Sequence, residues 1–328
     1  MDRRAFIGTF ATGVIVVSLA ARAQQPAQTK RIGWLWLEAP ETPAEIERRG
    51  MPALLRNLGW IEGQNLLAER RYASGRTELL KPFAEELIGL KVDVIVAGGT
   101  VAALAAKDAT RTIPIVVNRS ADPILAGLVA SLARPGGNIT GISTIFPDLS
   151  VKRLQLLREL LPSARRVAEM EVPANPVTRA MHEENERAYR LLGMQPTFVQ
   201  VAQVSDLETS IHEAARRGAQ ALHVGPEPLL YSNFSLILRA AQRHSLPVMV
   251  DNTDMLEAGG LISYAPDEDA LDRQLAVIID KILRGAKPAD VPVQQPTKLA
   301  LLINLRAAQS LGITVPQALL LRATAVIR

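Results

Sequence analysis

Short apolar, β-branched runs alternate along this chain with stretches whose apolar residues recur every three or four positions, and Gly, Pro or Asn corners part them. A period of two followed by a period near 3.6, repeated, predicts strands that each lead into a helix. Residues 31–37 read as the first strand, and 45–58 as a helix closed by Gly59, which accepts the left-handed cap. Residues 66–72 and 77–90 repeat the pair. Val92 to Ala97 is almost continuously apolar, the pattern of a strand covered by helices on both faces of a parallel sheet. Gly98-Gly99-Thr100 then turns the chain into an Ala-rich helix that runs to Ala109. A strand at 113–117, a helix at 124–132 and a strand at 139–143 close the first group.

The rhythm then resumes. Helices at 151–161, 176–192, 206–217 and 232–244 lead into strands at 166–172, 197–201, 221–225 and 247–250. The strand pair 93–97 and 113–118 is echoed at 221–225 and 246–252, as duplication of one sheet unit would leave it. Beyond it, 261–266 is extended, 268–283 helical, 291–296 extended and 299–304 a strand, followed by two short helical stretches. A return to the first lobe near Tyr264 and a departure near Pro296 would make three strands cross between lobes. The expected architecture is α/β: two doubly wound parallel-sheet lobes joined by a three-strand hinge. Residues 29–143 with 264–295 form the first lobe, and 144–263 with 296–328 the second. Crossings of this kind let lobes close around a ligand.

The first 23 residues set the compartment. Arg3 and Arg4, an apolar run from Gly8 to Ala20 and the small-x-small site Ala21-Arg22-Ala23 make a secretory signal peptide. The run falls short of the roughly 18–20 residues a membrane span needs, so cleavage is expected, with a periplasmic mature protein. Arg3-Arg4-Ala5-Phe6-Ile7 also resembles a twin-arginine signal, with Asp2 where Ser or Thr is usual. Both export routes stay open. The mature chain of 305 residues carries 34 basic and 32 acidic residues, which gives no electrostatic case for nucleic acid. Cysteine is absent, excluding thiolate nucleophiles, thiolate metal sites and disulfides together. No other segment is apolar and long enough to span a bilayer.

Open parallel sheets bind ligands beyond the carboxyl ends of their strands, so the strand-to-helix corners hold the candidate residues. Gly98 and Gly99 let backbone approach a ligand closely. Either Thr100 caps the following helix while the free N–H groups of Val101 and Ala102 face an anion, or Gly98-Gly99-Thr100 is only a strand-to-helix turn. No Lys-Ser or Lys-Thr follows at Walker spacing and no G-x-G-x-x-G occurs, so a phosphate loop is not expected. Trp36 and Glu38 follow the first strand; Trp36 either stacks on a ligand or is buried under a helix. Asn118, Ser120 and Asp122 precede Pro123, where Asp122 is either a first-turn cap or a ligand contact. Ser143 ends the first group of strands. The second group offers Glu171, Asn175, Gly225, Asp251 and Asn252, and Tyr264 marks the return crossing. Glu169 and Glu171 share one face of an otherwise apolar strand, where an unpartnered carboxylate is costly. Glu171 either pairs with a neighbouring Arg or meets a cationic group of the ligand. His182, His212, His223 and His244 lack metal-ligand spacing, and no G-x-S-x-G elbow appears. No reaction, metal or cofactor is expected.

Several long blocks, in order, resemble a known family over nearly the whole mature length. They are Leu58-Gly59-Trp60-Ile61-Glu62-Gly63-Gln64-Asn65, Ala121-Asp122-Pro123, residues 127–141, Pro173-Ala174-Asn175-Pro176, residues 257–264, and 285–290 with Gln294-Gln295-Pro296-Thr297-Lys298. The family is that of ABC-transporter substrate-binding proteins related to the tryptophan/tyrosine uptake group. The resemblance implies a type I periplasmic binding fold. It also implies a monomer that captures a small carboxylate such as an amino acid, aromatic ones included, and delivers it to an ABC permease with its ATPase subunit. By analogy the Thr100 corner takes the carboxylate and the opposite lobe completes the site. The chain departs from the family pattern at Glu169 and Glu171, which stand in a usually apolar strand. It departs again at Trp34 and Trp36, which replace smaller residues. A periplasmic sensor module presenting bound solute to a signalling receptor would use the same fold.

Overall fold

The computed structural model describes residues 29–48, 50–144, 146–175, 178–225 and 227–328; the expected signal peptide lies outside them. Strands β1 (Lys30–Trp36), β2 (Leu66–Tyr72), β3 (Val94–Gly98), β4 (Ile115–Ser120) and β5 (Ile139–Ser143) form one parallel sheet in the order β2-β1-β3-β4-β5. A second sheet contains β6 (Arg166–Glu171), β7 (Gln195–Gln200), β8 (Ala221–Val224), β9 (Val248–Val250), β10 (Ile262–Pro266), β11 (Leu299–Asn304) and β12 (Ala325–Ile327). Its order is β12-β11-β10-β9-β8-β6-β7, parallel except where β11 runs against β10.

Side chains alternate across a strand, so each sheet supplies two apolar faces that helices must cover. In β3, Ile95 and Ala97 pack into one cluster with Leu87, Ala103 and Ala106, while Val94 and Val96 pack into another with Leu275 and Ile279. The second sheet does the same: Leu222 and Val224 face Ile211 and Ile237, whereas Ala221 and Met249 face Leu157 and Tyr189. Helix Glu268–Leu283 covers the first sheet although the strand before it belongs to the second. The chain therefore changes lobe three times: after Thr144, between Pro266 and Glu268, and between Gln294 and Leu299. Ser143 N–H donates to the Gln294 carbonyl and Asp267 N–H to the Lys298 carbonyl, which ties these crossings to one another.

Four local expectations need correction. The 45–58 helix is broken into Pro43–Arg48 and Met51–Asn57, because Gly50 adopts φ 78° just before Pro52. Residues 124–132 form turns, not a helix: Asp122 Oδ1 accepts from the N–H groups of Ile124 and Leu125, and Gly127 at φ 68° reverses the chain. Tyr264, Ala265 and Pro266 still pair with β11 in the second sheet, so the return crossing comes later than expected. The closing strand β12 was not anticipated.

A candidate ligand site between the lobes

The carboxyl ends of both sheets face a shared cavity of about 590 Å³. The first lobe lines it with Trp34 and Trp36 from β1, Glu38 and Glu41 beyond that strand, Gly99 and Thr100 after β3, and Asn118 and Arg119 from β4. The second lobe contributes Arg153, Asn175, Glu227, Asp251, Asn252 and Ser263. Trp34 and Trp36 lie two apart on one face of β1 and stack, with ring centroids 6.2 Å apart and planes 7° from parallel. They give one wall a broad apolar surface suited to a flat guest.

Of the residues expected from the sequence, Trp36, Glu38, Gly99, Thr100, Asn118, Asn175, Asp251 and Asn252 line this cavity. The others serve elsewhere. Gly98 is buried beneath the Trp36 ring, and Val101 packs into the helical side of the first sheet. Ser120 is fully buried with Oγ 3.0 Å from Thr100 Oγ1. Asp122 caps its own turn, and Ser143 is paired at the edge with Gln294. Glu171 Oε1 lies 2.7 Å from His182 Nδ1, so its partner is a histidine, neither an arginine nor a ligand in the main cavity. Gly225 borders a separate cavity of about 20 Å³ behind the site, and the Tyr264 ring packs into the core of the second lobe.

The polar residues that sequence reasoning missed are mostly charged. Arg119 sits at φ 64° where the register between β4 and β5 shifts, and its Nη2 donates to Asp272 Oδ1 at 2.9 Å. Arg70 donates Nη1 and Nη2 to the two carboxylate oxygens of Glu62, both at 2.8 Å. Arg153, 1% exposed on helix Phe146–Leu160, donates Nε to the Tyr264 carbonyl at 2.8 Å. Burial pushes its guanidinium pKa down, against the opposing pull of Asp251 and Glu169. Glu227 accepts from Asn175 Nδ2 at 3.0 and 3.2 Å. Burial raises its carboxyl to about 8, the Asn175 bond opposing and the nearby Asp251 charge adding to the rise. Burial likewise raises Asp251 to about 6, opposed by Arg153, His223 and Arg119. Trp34 Nε1, Asn118 Oδ1 and Ser263 Oγ have no hydrogen-bond partner among the described residues.

These carboxyl groups tie stability to pH. Folded Glu227 and Asp251 hold their protons above the values of the unfolded chain, so the stability this confers is fully present below about pH 4. It is lost as pH rises through about 6 for Asp251 and about 8 for Glu227. Ligand-free protein is expected to lose on the order of a few kcal/mol between pH 6 and pH 8. Urea unfolding at a series of pH values measures it, and Glu227→Gln is expected to flatten the upper part of the curve.

Two α/β lobes with three crossings and a cavity at the facing strand ends define a protein of the periplasmic-binding fold. The model of the ABC transporter substrate binding protein family matches residues 41–327, and the chain belongs to that family. A tyrosine-binding protein of Clostridioides difficile (strain R20291) is 25% identical over 263 residues, covering 78% of this chain and 74% of that one. A crystal structure of a conserved domain protein from Vibrio cholerae superposes with a TM-score of 0.84 at 28% identity, covering 91% of this chain and all of that one. The ABC domain from Streptococcus pneumonia, solved in complex with L-Trp, superposes with a TM-score of 0.83 at 26% identity, covering 92% and 100%. Among the described residues, no helix is long and apolar enough to cross a membrane.

Proposed function

We propose that this chain is the extracytoplasmic solute-capturing component of an ABC importer. It takes a small carboxylate such as an amino acid, an aromatic one in the first instance, into the interlobe cavity and delivers it to a membrane permease with its ATPase subunit. The two lobes close on the solute about the three crossings. One observation carries the reading: a cavity between two hinged lobes combines a stacked indole wall with the amino end of helix Gly99–Ala109. The stacked rings suit an aromatic side chain. Thr100 and the free N–H groups of that helix's first turn suit a carboxylate. The tyrosine-binding and L-Trp-bound relatives support the same class of solute.

Thermal unfolding of purified protein with the twenty amino acids and with aromatic acids tests this. Stabilisation by L-tryptophan or L-tyrosine is expected; no shift with any of them overturns the reading. Thr100→Val, which keeps the shape and removes the hydroxyl, is expected to weaken binding by about 1–2 kcal/mol in calorimetric titration. Unchanged affinity would leave Thr100 with its bond to Ser120 alone.

A further inference from the structure

Two histidines that the chain separates by 32 residues meet on the second lobe. His212 lies on helix Asp206–Arg216, and His244 directly follows helix Phe234–Arg243. Both helices pack on one face of the second sheet, where Leu207, Ile211 and Ala214 share a core with Ile237, Leu238 and Ala241. That packing fixes their rotation and turns both imidazoles outward, His212 exposed and His244 half-buried. His212 Nδ1 and His244 Nε2 are 3.4 Å apart, with ring centres separated by 5.2 Å and planes 50° from parallel. A hydrogen bond between the rings accounts for this poorly. The contact is long for such a bond, and a straight N–H···N bond of that length would hold the ring centres farther apart. A tetrahedral ion bound by two imidazoles at about 2.0–2.1 Å holds their nitrogens about 3.4 Å apart and their ring centres about 5.2 Å apart. Both separations match.

We propose that His212 and His244 form a binding site for a zinc ion that staples these two helices of the second lobe together. Imidazole nitrogens suit a borderline-soft first-row cation, and a tetrahedral edge favours zinc among them. In each ring the ligating nitrogen offers its lone pair while the other carries the proton. Glu208, one helical turn before His212, is ion-paired with Arg243, the residue before His244, so the charges flanking the pair offset each other. Among the described residues no third His, Cys, Asp or Glu joins the two in a metal-binding group, so water fills the remaining positions on the ion. Binding to the folded chain alone adds to its stability. Neither histidine lines the interlobe cavity, which makes the site independent of solute capture. No short motif marks it, because the two ligands come from different helices.

Equilibrium dialysis of the purified protein, free of any histidine tag, against zinc chloride tests the site. One ion per chain is expected to be taken up saturably, and excess magnesium, which takes oxygen ligands, is expected not to displace it. His212→Ala and His244→Ala are each expected to weaken zinc at least about tenfold, since even a lost second-shell partner costs that much. The double variant is expected to lose the site. Both side chains lie at the surface, so the variants are expected to fold, and thermal unfolding checks this while reading a second effect. Zinc is expected to raise the midpoint of the unaltered protein and to leave that of the double variant unmoved. His182→Ala, which removes the histidine held by Glu171, is the control and is expected to keep full zinc affinity. The absence of saturable uptake, displacement by magnesium, or equal affinity in the double variant overturns the proposal. A tenfold loss in His182→Ala alone overturns it too, by assigning the ion to the pair with Glu171.

Discussion

Glu169→Ala is expected to destabilise the protein by about 3–5 kcal/mol, the scale of a buried charge network broken at its centre. Glu169 lies in β6, 4% exposed, directly behind the cavity wall that holds Glu227 and Arg153. Its Oε2 accepts from the Tyr189 hydroxyl at 2.7 Å and lies 2.7 Å from His223 Nδ1; its Oε1 accepts from Asn185 Nδ2 at 3.2 Å. Tyr189 is fully buried and His223 is 3% exposed, so neither finds water when the carboxylate goes. Burial, with the Glu169 charge beside it, drives the Tyr189 hydroxyl well above its ordinary value, which keeps it a donor at every working pH. Alanine leaves three polar groups without their shared acceptor and opens a cavity as well. Glu169→Gln restores the volume but must turn its amide N–H toward one donor, and is expected to cost about 1–3 kcal/mol. Urea midpoints at constant m measure both; a loss under about 1 kcal/mol for Glu169→Ala would show that the network contributes no net stability.

That network shows how far the residues could be read in advance. Alternation along β6 placed Glu169 and Glu171 on one face, because the period of two is local. Their partners are not local. His223 is 54 residues from Glu169, and Tyr189 is 20 away on a helix whose rotation depends on packing. The same division holds for the fold. Strand and helix order followed from periodicity, whereas residues 124–132 were misjudged because one Asp side chain and one left-handed Gly outweigh apolar spacing. In the cavity, topology directs attention to the strand ends, which is why Thr100, Asn118, Asp251 and Asn252 were anticipated. Glu227 lies in an anticipated corner, two residues beyond the Gly225 that was singled out. Arg153 had one signal available, a charge among the apolar positions Leu154 and Leu157 of its helix. Ser263 had none, since nothing local distinguishes a strand serine that faces another lobe.

Gly98→Ala is expected to weaken binding of L-tryptophan or L-tyrosine by at least about tenfold while costing about 1–3 kcal/mol of stability, the range for overpacking. The glycine is not there for its backbone freedom: φ −76° and ψ 104° suit any residue. It is there because the Trp36 ring lies directly on it, and a Cβ would overlap Cε3 and Cζ3 of the indole. Paired glycines before Thr100 suggest a close approach to a ligand; what approaches Gly98 is a side chain of the protein itself. Trp36 cannot retreat. Its neighbour in the stack, Trp34, is 7% exposed and packs with Ile32 and Val94 over helix Glu268–Leu283. The ring must therefore swing toward the cavity, breaking the stack and taking the space an aromatic guest needs. Gly99 is the control, because its φ of 77° makes Gly99→Ala a backbone strain with only Pro228 nearby and no indole displaced. Tryptophan fluorescence and near-UV circular dichroism should register a disturbed stack in Gly98→Ala, with calorimetry reporting affinity. A disturbed stack with affinity retained would mean that the indole pair is not the surface against which the solute is held.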